Sequence, residues 1–318
     1  MLTKKIVFLS AQPDVPYFHW QVEVMIHNFI KHGINPNWIE ILWAYDNEPS
    51  AELLSLSAKY PYVRFFSYKK TPIDNFGYIP ILRPDIIEQH FIKYPELRGE
   101  TILYHDSDII FRELPNFDEM HGDLYWYLSD TISYIGAEYI RSKSNDLFVD
   151  MCNIVGILPE VVDQNQKNSG GAQYLMKGVT ANYWKGVKDD SLALYKYMVD
   201  RENLERTTLT PEELQVYNPV QKWCADMWAV LWGAWKLGAQ TVIEPGLSFS
   251  WGSSNLAEYL NNNIMHNAGI TSNQEGKVFY KGEFINKNPF EFDFSNIDQN
   301  TASAKYVDAI IYAKEMRS

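Results

Sequence analysis

Thr101-Ile102-Leu103-Tyr104-His105-Asp106-Ser107-Asp108-Ile109-Ile110-Phe111 is the stretch that decides how this chain is read. An apolar run enters two carboxylates separated by one residue, and the chain then returns to apolar residues. If the extended backbone persists, alternation puts Asp106 and Asp108 on one face. Two carboxylates at the end of a buried strand repel each other and are costly to desolvate unless a cation neutralises them. A hard divalent ion, Mn2+ or Mg2+, prefers oxygen ligands and can bridge to a diphosphate. Ligands of open α/β sheets also bind at the carboxyl ends of strands. The competing reading is an ordinary turn in which Asp caps nearby backbone. The apolar flanks on both sides favour the metal site.

Working outward toward the N-terminus, strand-like and helix-like segments alternate. Residues 6–10 form a short apolar run. Phe18, Val22, Met25, Ile26, Phe29 and Ile30 then recur at helical spacing over 17–32, and Gly33 stops them. Strands are predicted at 38–44, 63–68 and 101–104, and helices at 49–59 and 84–93. This alternation favours right-handed βαβ crossovers and a largely parallel sheet, so the fold class is α/β. Farther on, a strand is predicted at 123–128, a helix at 137–155 and a polar loop at 159–173. Thr210-Pro211-Glu212-Glu213 has the form of a capping box opening a short exposed helix. A terminal amphipathic helix is predicted over 302–316. With no Ser/Gly-rich linker and no repeat, residues 1–318 read as one catalytic-type domain. Its later half is expected to add substrate-binding elements.

Composition narrows the function. The formal charge is 28 − 40 = −12, which disfavours a broad polyanion-binding surface. Aromatic residues reach 15%, suited to cores and equally to surfaces that stack on sugars or bases. Cys152 and Cys224 are too few for a disulfide framework and read as buried free thiols. No apolar run is long enough for a membrane span or a signal-peptide core, so a cytoplasmic protein is expected.

The strand–His-Asp-Ser-Asp–strand pattern resembles the DxD motif of GT-A-fold glycosyltransferases, which use nucleotide-sugar donors on a Rossmann-like sheet. The resemblance implies that Asp108 ligates the metal directly and that Asp106 shares it or contacts the donor ribose, with Ser107 between them. His266, in Ile264-Met265-His266-Asn267-Ala268-Gly269, resembles the late histidine that supplies a third metal ligand, and Gly269 the glycine that lets backbone approach a diphosphate. The lysine and tryptophan that follow in the fuller family pattern are absent, since Ile270-Thr271-Ser272 come next. A structural histidine bonded to backbone is the alternative for His266.

Asn168-Ser169-Gly170-Gly171-Ala172-Gln173 is similar to the family loop that holds acceptor or donor sugar, and its glycines permit close approach. Equally, Ser169 can cap a helix beginning near Gly171. Trp228, Trp232 and Trp235 fall on one helical stripe and are expected in the core. Asp226, on the same helix, either caps it or reaches the sugar. The family implies an acceptor base if inverting, or a donor-sugar contact if retaining. Ser10, Ala11 and Gln12 follow the first strand, where the resemblance implies nucleotide contact, and it makes residues 1–115 the nucleotide-binding half and 116–318 the acceptor- and sugar-binding half. Arg83 suits a diphosphate, although a surface salt bridge would explain it too. Trp251, in a small polar loop, is the foremost sugar-stacking candidate.

The expectation is therefore a Mn2+- or Mg2+-dependent glycosyltransferase, tilted toward retention, with a nucleoside-diphosphate sugar, foremost a UDP-sugar, as donor. A loose likeness to the hydroxyproline arabinosyltransferase and serine galactosyltransferase group adds to that tilt. Its acceptor would be a saccharide, peptide or small molecule, with nucleic acid ranked below these. A nucleotidyltransferase and a non-catalytic carbohydrate-binding protein are the alternatives. The first usually carries a basic glycine-rich loop after its first strand, and residues 11–16 have none.

Overall fold

The computed structural model describes residues 2–74, 77–120, 125–272 and 277–317. The N-terminal alternation is present: β1 (Val7–Pro13), α1 (Pro16–Lys31), β2 (Ile39–Tyr45), α2 (Ala51–Lys59), β3 (Arg64–Lys69), α3 (Leu82–Lys93) and β4 (Ile102–Tyr104). After β5 (Ile109–Phe111) come β6 (Trp126–Asp130), α4 (Ile132–Ile135), α5 (Ala137–Lys143), α6 (Asn145–Val155), α7 (Pro159–Gln164) and β7 (Gly170–Met176). The chain continues through α8 (Ala181–Thr208), α9 (Pro211–Val216), α10 (Ala225–Lys236) and β8 (Thr241–Ile243). It closes with β9 (Phe249–Trp251), α11 (Leu256–Asn261), β10 (Ile264–His266) and α12 (Ala302–Glu315).

Seven strands form one sheet in the order β3-β2-β1-β4-β7-β6-β8. All run parallel except β7, which is antiparallel to both neighbours. The expected α/β class, with a mainly parallel Rossmann-like sheet between helices, is thus the architecture found. Both faces of β1 are covered, which explains its continuous apolar sequence. Val7 and Leu9 face the core beneath α3, α8 and α10, whereas Phe8 packs edge-on against Phe29 of α1 and Phe111 of β5. A second sheet of three strands, β5-β10-β9, stands beside the first. The outer edge of β5 is satisfied by a side chain. Asn28 of α1 donates to the Phe111 carbonyl at 3.0 Å and accepts from its N–H at 2.8 Å.

Several predicted elements are altered. The 123–128 strand is β6, shifted to 126–130, and residues 123 and 124 lie outside the described residues. The predicted 137–155 helix divides at Ser144, whose hydroxyl accepts from Leu147 N and opens α6. The predicted polar loop at 159–173 contains α7, a 3-10 turn and the start of β7, so Ser169 leads into a strand rather than capping a helix. The long helix α8 escapes the periodicity reading because its charged faces outnumber a narrow buried stripe of Tyr183, Val187, Ser191, Leu194 and Met198. The Thr210 capping box forms as expected. Trp228, Trp232 and Trp235 are buried, and so are both free cysteines. No helix among the described residues is long and apolar enough to cross a membrane.

The C-terminal end is tied to α1 through Glu23, which accepts from Lys59 at 2.6 Å, Tyr60 at 2.7 Å and Arg317 at 3.1 Å. Burial pushes the Glu23 carboxyl up, but the hydrogen bonds from Lys59 and Tyr60 and the nearby Arg317 charge outweigh it and hold it below its ordinary 4.5. A depressed carboxylate contributes stability that is present above the unfolded-state value and is lost as pH falls through the folded one. Glu23→Gln is therefore expected to be less stable than the parent at pH 7. The gap should narrow below about pH 4.5 in urea denaturation curves run across the acid range; a gap independent of pH contradicts this.

Candidate active site

The acidic pair sits where the chain changes sheets. β4 ends at Tyr104 in the large sheet, β5 begins at Ile109 in the small one, and residues 105–108 make the turn between them. The two carboxylates therefore converge through a crossover, not through the uninterrupted alternation the sequence implied. His105 secures the turn, with its Nδ1 2.8 Å from the Asp106 carbonyl oxygen. Burial lowers the His105 imidazole to about 4, so it stays neutral and can donate there.

Strand register then brings in the histidine. β5 and β10 are antiparallel with Ile109 opposite His266, so His266 lies beside the end of the turn. Asn267 N donates to the Asp108 carbonyl at 2.9 Å and clamps the two segments. His266 Nε2 is 3.2 Å from Asp108 Oδ1 and 3.5 Å from Asp106 Oδ2. The ligand atoms of Asp106, Asp108 and His266 all lie within 4.8 Å of one another.

The outward-facing carboxylate oxygens are held by cations. Arg83 of α3 donates through Nη1 to Asp106 Oδ1 and through Nη2 to Asp226 Oδ2, the latter at 2.5 Å. Lys281 donates to Asp108 Oδ2. Burial pushes the Asp108 carboxyl up, but the Lys281 ammonium and His266 outweigh it and leave it well below the usual carboxylate range. Asp226, at the first turn of α10, makes no capping bond and turns toward the acid pair. Its Oδ1 accepts from the Tyr78 hydroxyl at 2.9 Å, and its backbone N–H donates back to that oxygen at 2.9 Å. Burial raises the Asp226 carboxyl above its ordinary value, and Arg83 and Tyr78 offset this only in part.

The predicted residues thus divide. Arg83, Asp106, Asp108, Asp226 and His266 come together, with Ser107 buried in the turn. Trp251 stacks on the His266 imidazole, and Gly269, at φ +79°, lies against the Trp251 ring. Gly171 approaches from the other side. A Cβ there would meet the Tyr174 hydroxyl at 2.7 Å and Met227, next to Asp226, at 2.8 Å. A β-bulge opposite Leu128 and Ser129 permits this approach, with Ala172 held at φ +65°, a conformation rare for residues with a side chain. Gln173 is occupied in the sheet, accepting from Ser129 at 2.6 Å, and the Asn168 carbonyl is drawn to Thr241 of β8. Gly170 pairs with Asp130, and Ser169 is buried beside it. Ser10, Ala11 and Gln12 lie buried in the carboxyl half of β1, where Gln12 donates to the Leu42 carbonyl at 2.9 Å.

Beyond the end of β1 a cleft of about 510 Å³ opens between Pro13, Val15, Lys70, Ile79 and Lys281. Lys281 and Tyr78 are the site residues that spacing does not reveal. Tyr78 belongs to no motif, and Lys281 lies too far along the chain from Gly269 to match the family pattern. The one available signal for Lys281 is charge, since an acid pair buried together calls for cations from somewhere in the chain.

Tyr78→Phe removes the oxygen that serves both the Asp226 N–H and its carboxylate. Leaving a buried N–H unpaired is expected to lower stability by about 1–3 kcal/mol in urea denaturation. A variant as stable as the parent would contradict the lock.

No family model matches the chain, and no curated protein matches it. Among solved structures it is similar to the apo form of WbbM, a bifunctional glycosyltransferase, at 10% identity over 98% of this chain and 50% of that one, with a TM-score of 0.47. It is similar to the galactosyltransferase LgtC bound to donor and acceptor sugar analogues, at 11% identity over 95% of this chain and 94% of that one, with a TM-score of 0.42. It is also similar to mouse xyloside xylosyltransferase 1, at 8% identity over 83% of this chain and 99% of that one, with a TM-score of 0.38. The chain spans half the length of WbbM.

Proposed function

We propose that this chain is a metal-dependent GT-A glycosyltransferase moving a sugar from a nucleoside diphosphate, foremost UDP, to an acceptor hydroxyl. One observation carries the reading. Asp106 Oδ2, Asp108 Oδ1 and His266 Nε2 converge, while the other oxygen of each carboxylate is fixed by Arg83 or Lys281. Two hard oxygens and one imidazole nitrogen suit Mn2+ or Mg2+, so the donor set fits the implied ion. Bound by these three side chains, the ion supplies Lewis-acid neutralisation of the charge that builds on a departing diphosphate.

The remaining work falls to the protein. The cleft beyond β1 receives the nucleotide, next along the chain from Ser10, Ala11 and Gln12, and Gly269 lets backbone approach the diphosphate. Arg83 and Lys281 add fixed positive charge where the bond from anomeric carbon to phosphate oxygen breaks. Asp226 is held by Arg83 and Tyr78, which suits a stationary acceptor of donor-sugar hydroxyl hydrogens better than a base free to move to the acceptor. That favours retention of anomeric configuration. The expected sugar-holding segment 168–173 contributes instead by close packing, since Gly171 lets β7 approach Tyr174 and Met227 beside Asp226. A saccharide, peptide or small-molecule acceptor fits a chain of charge −12 better than a nucleic acid.

Thermal melting with UDP-, GDP-, CMP- and dTDP-sugars, with and without Mn2+, tests this reading. A UDP-sugar is expected to raise the midpoint only when Mn2+ is present. At about a hundred times the dissociation constant the gain is roughly 2.7 kcal/mol. Asp108→Ala should abolish the shift and lower donor hydrolysis by at least about a hundredfold. Stabilisation by no nucleotide sugar, or stabilisation indifferent to Mn2+, contradicts it.

A further inference from the structure

Metal-bound histidines ordinarily donate their second ring nitrogen to a carboxylate, a carbonyl or water, and that bond fixes the ring's orientation. Among the described residues, none provides such a partner for the buried His266 Nδ1. What the described residues offer this imidazole is packing on its faces. The torsion that turns the ring is broad and two-fold, and bonding alone does not choose a side.

We propose that Trp251 is a positioning residue that holds His266 by aromatic stacking, so that Nε2 faces the acid pair. The inference rests on the metal reading above and gives Trp251 a task other than the sugar contact expected from its loop. β9 runs parallel to β10 with Trp251 directly beside His266, so strand pairing alone brings the two side chains to one face. Their ring centroids are 5.9 Å apart and their planes differ by 16°, an offset stack. Phe249, two residues earlier on β9, packs on the same imidazole at 5.5 Å.

Trp251 is itself immobilised. Its backbone N–H donates to Ser254 Oγ at 3.0 Å. Tyr134 meets its ring edge-on at 5.9 Å and Phe249 does so at 4.8 Å. Gly269 also lies against the ring, where an added Cβ would be 3.2 Å from Trp251 Cε3. Orientation therefore passes from a packed indole to an imidazole, and from the imidazole to the three converging ligand atoms. A half-buried tryptophan whose ring is engaged in this way is placed to keep Nε2 on the metal side.

The test measures Mn2+ binding to the intact protein by the loss of the free-ion electron paramagnetic resonance signal, with no substrate present. Trp251→Leu keeps an apolar side chain but no ring, and Trp251→Phe keeps a ring that can stack. Both are checked for cooperative melting. The Leu variant is expected to bind Mn2+ about tenfold more weakly, the lower end of what losing a group that orients a ligand costs, and the Phe variant to stay near the parent. A natively folded Leu variant binding like the parent overturns the proposal. So does a natively folded Phe variant as weak as the Leu variant. Either result leaves the proposed function intact. A parent that takes up no Mn2+ removes the metal reading and this inference together, which separates the two failures.

Discussion

Everything in the site follows from the need to keep two carboxylates together. Asp106 and Asp108 offer oxygens within 4.8 Å of each other and of an imidazole. Two like charges at that distance repel by roughly 3–4 kcal/mol at an effective dielectric of about 20. The fold answers with Arg83 from α3 and Lys281 from a late 3-10 turn, each taking one oxygen and leaving the other turned inward. Neutralisation and orientation are thus one event. The same cations that make the pair tolerable also aim its free oxygens at His266 Nε2.

The architecture explains why segments so distant in sequence meet. A turn between two sheets concentrates chain ends, because β4 and β1 deliver their carboxyl termini from one side while β10 and β9 run alongside β5 from the other. Register does the fine placement. Ile109 opposite His266 sets the histidine beside Asp108, and Trp251 beside His266 sets the ring that braces it. The antiparallel strand β7 brings a glycine close to the α10 segment that carries Asp226, at the cost of a bulge and a left-handed alanine.

Much of this was legible from residues alone. The α/β alternation is written in apolar periods, because β1 is buried on both faces and α1 carries apolar residues at helical spacing. Asp106, Asp108 and His266 stand out because acids in an apolar strand have few uses. What escaped has physical reasons. The α8 stripe is diluted by salt-bridged charges, and the Gly170-Gly171 pair reads as a ligand loop or a helix start, since nothing local marks the bulge it serves. Lys281 and Tyr78 act through tertiary contact only, with no local pattern to mark them. Even the acid pair was found for a partly mistaken reason, since a turn and not strand alternation brings its oxygens together.

The three inward-facing atoms are proposed to form a metal site. Anomalous diffraction at the manganese absorption edge, from crystals grown with Mn2+, locates the ion without reference to activity. A peak bounded by Asp106 Oδ2, Asp108 Oδ1 and His266 Nε2 is the expected result. Manganese bound elsewhere, with Asp106 and Asp108 still held only by Arg83 and Lys281, would contradict it.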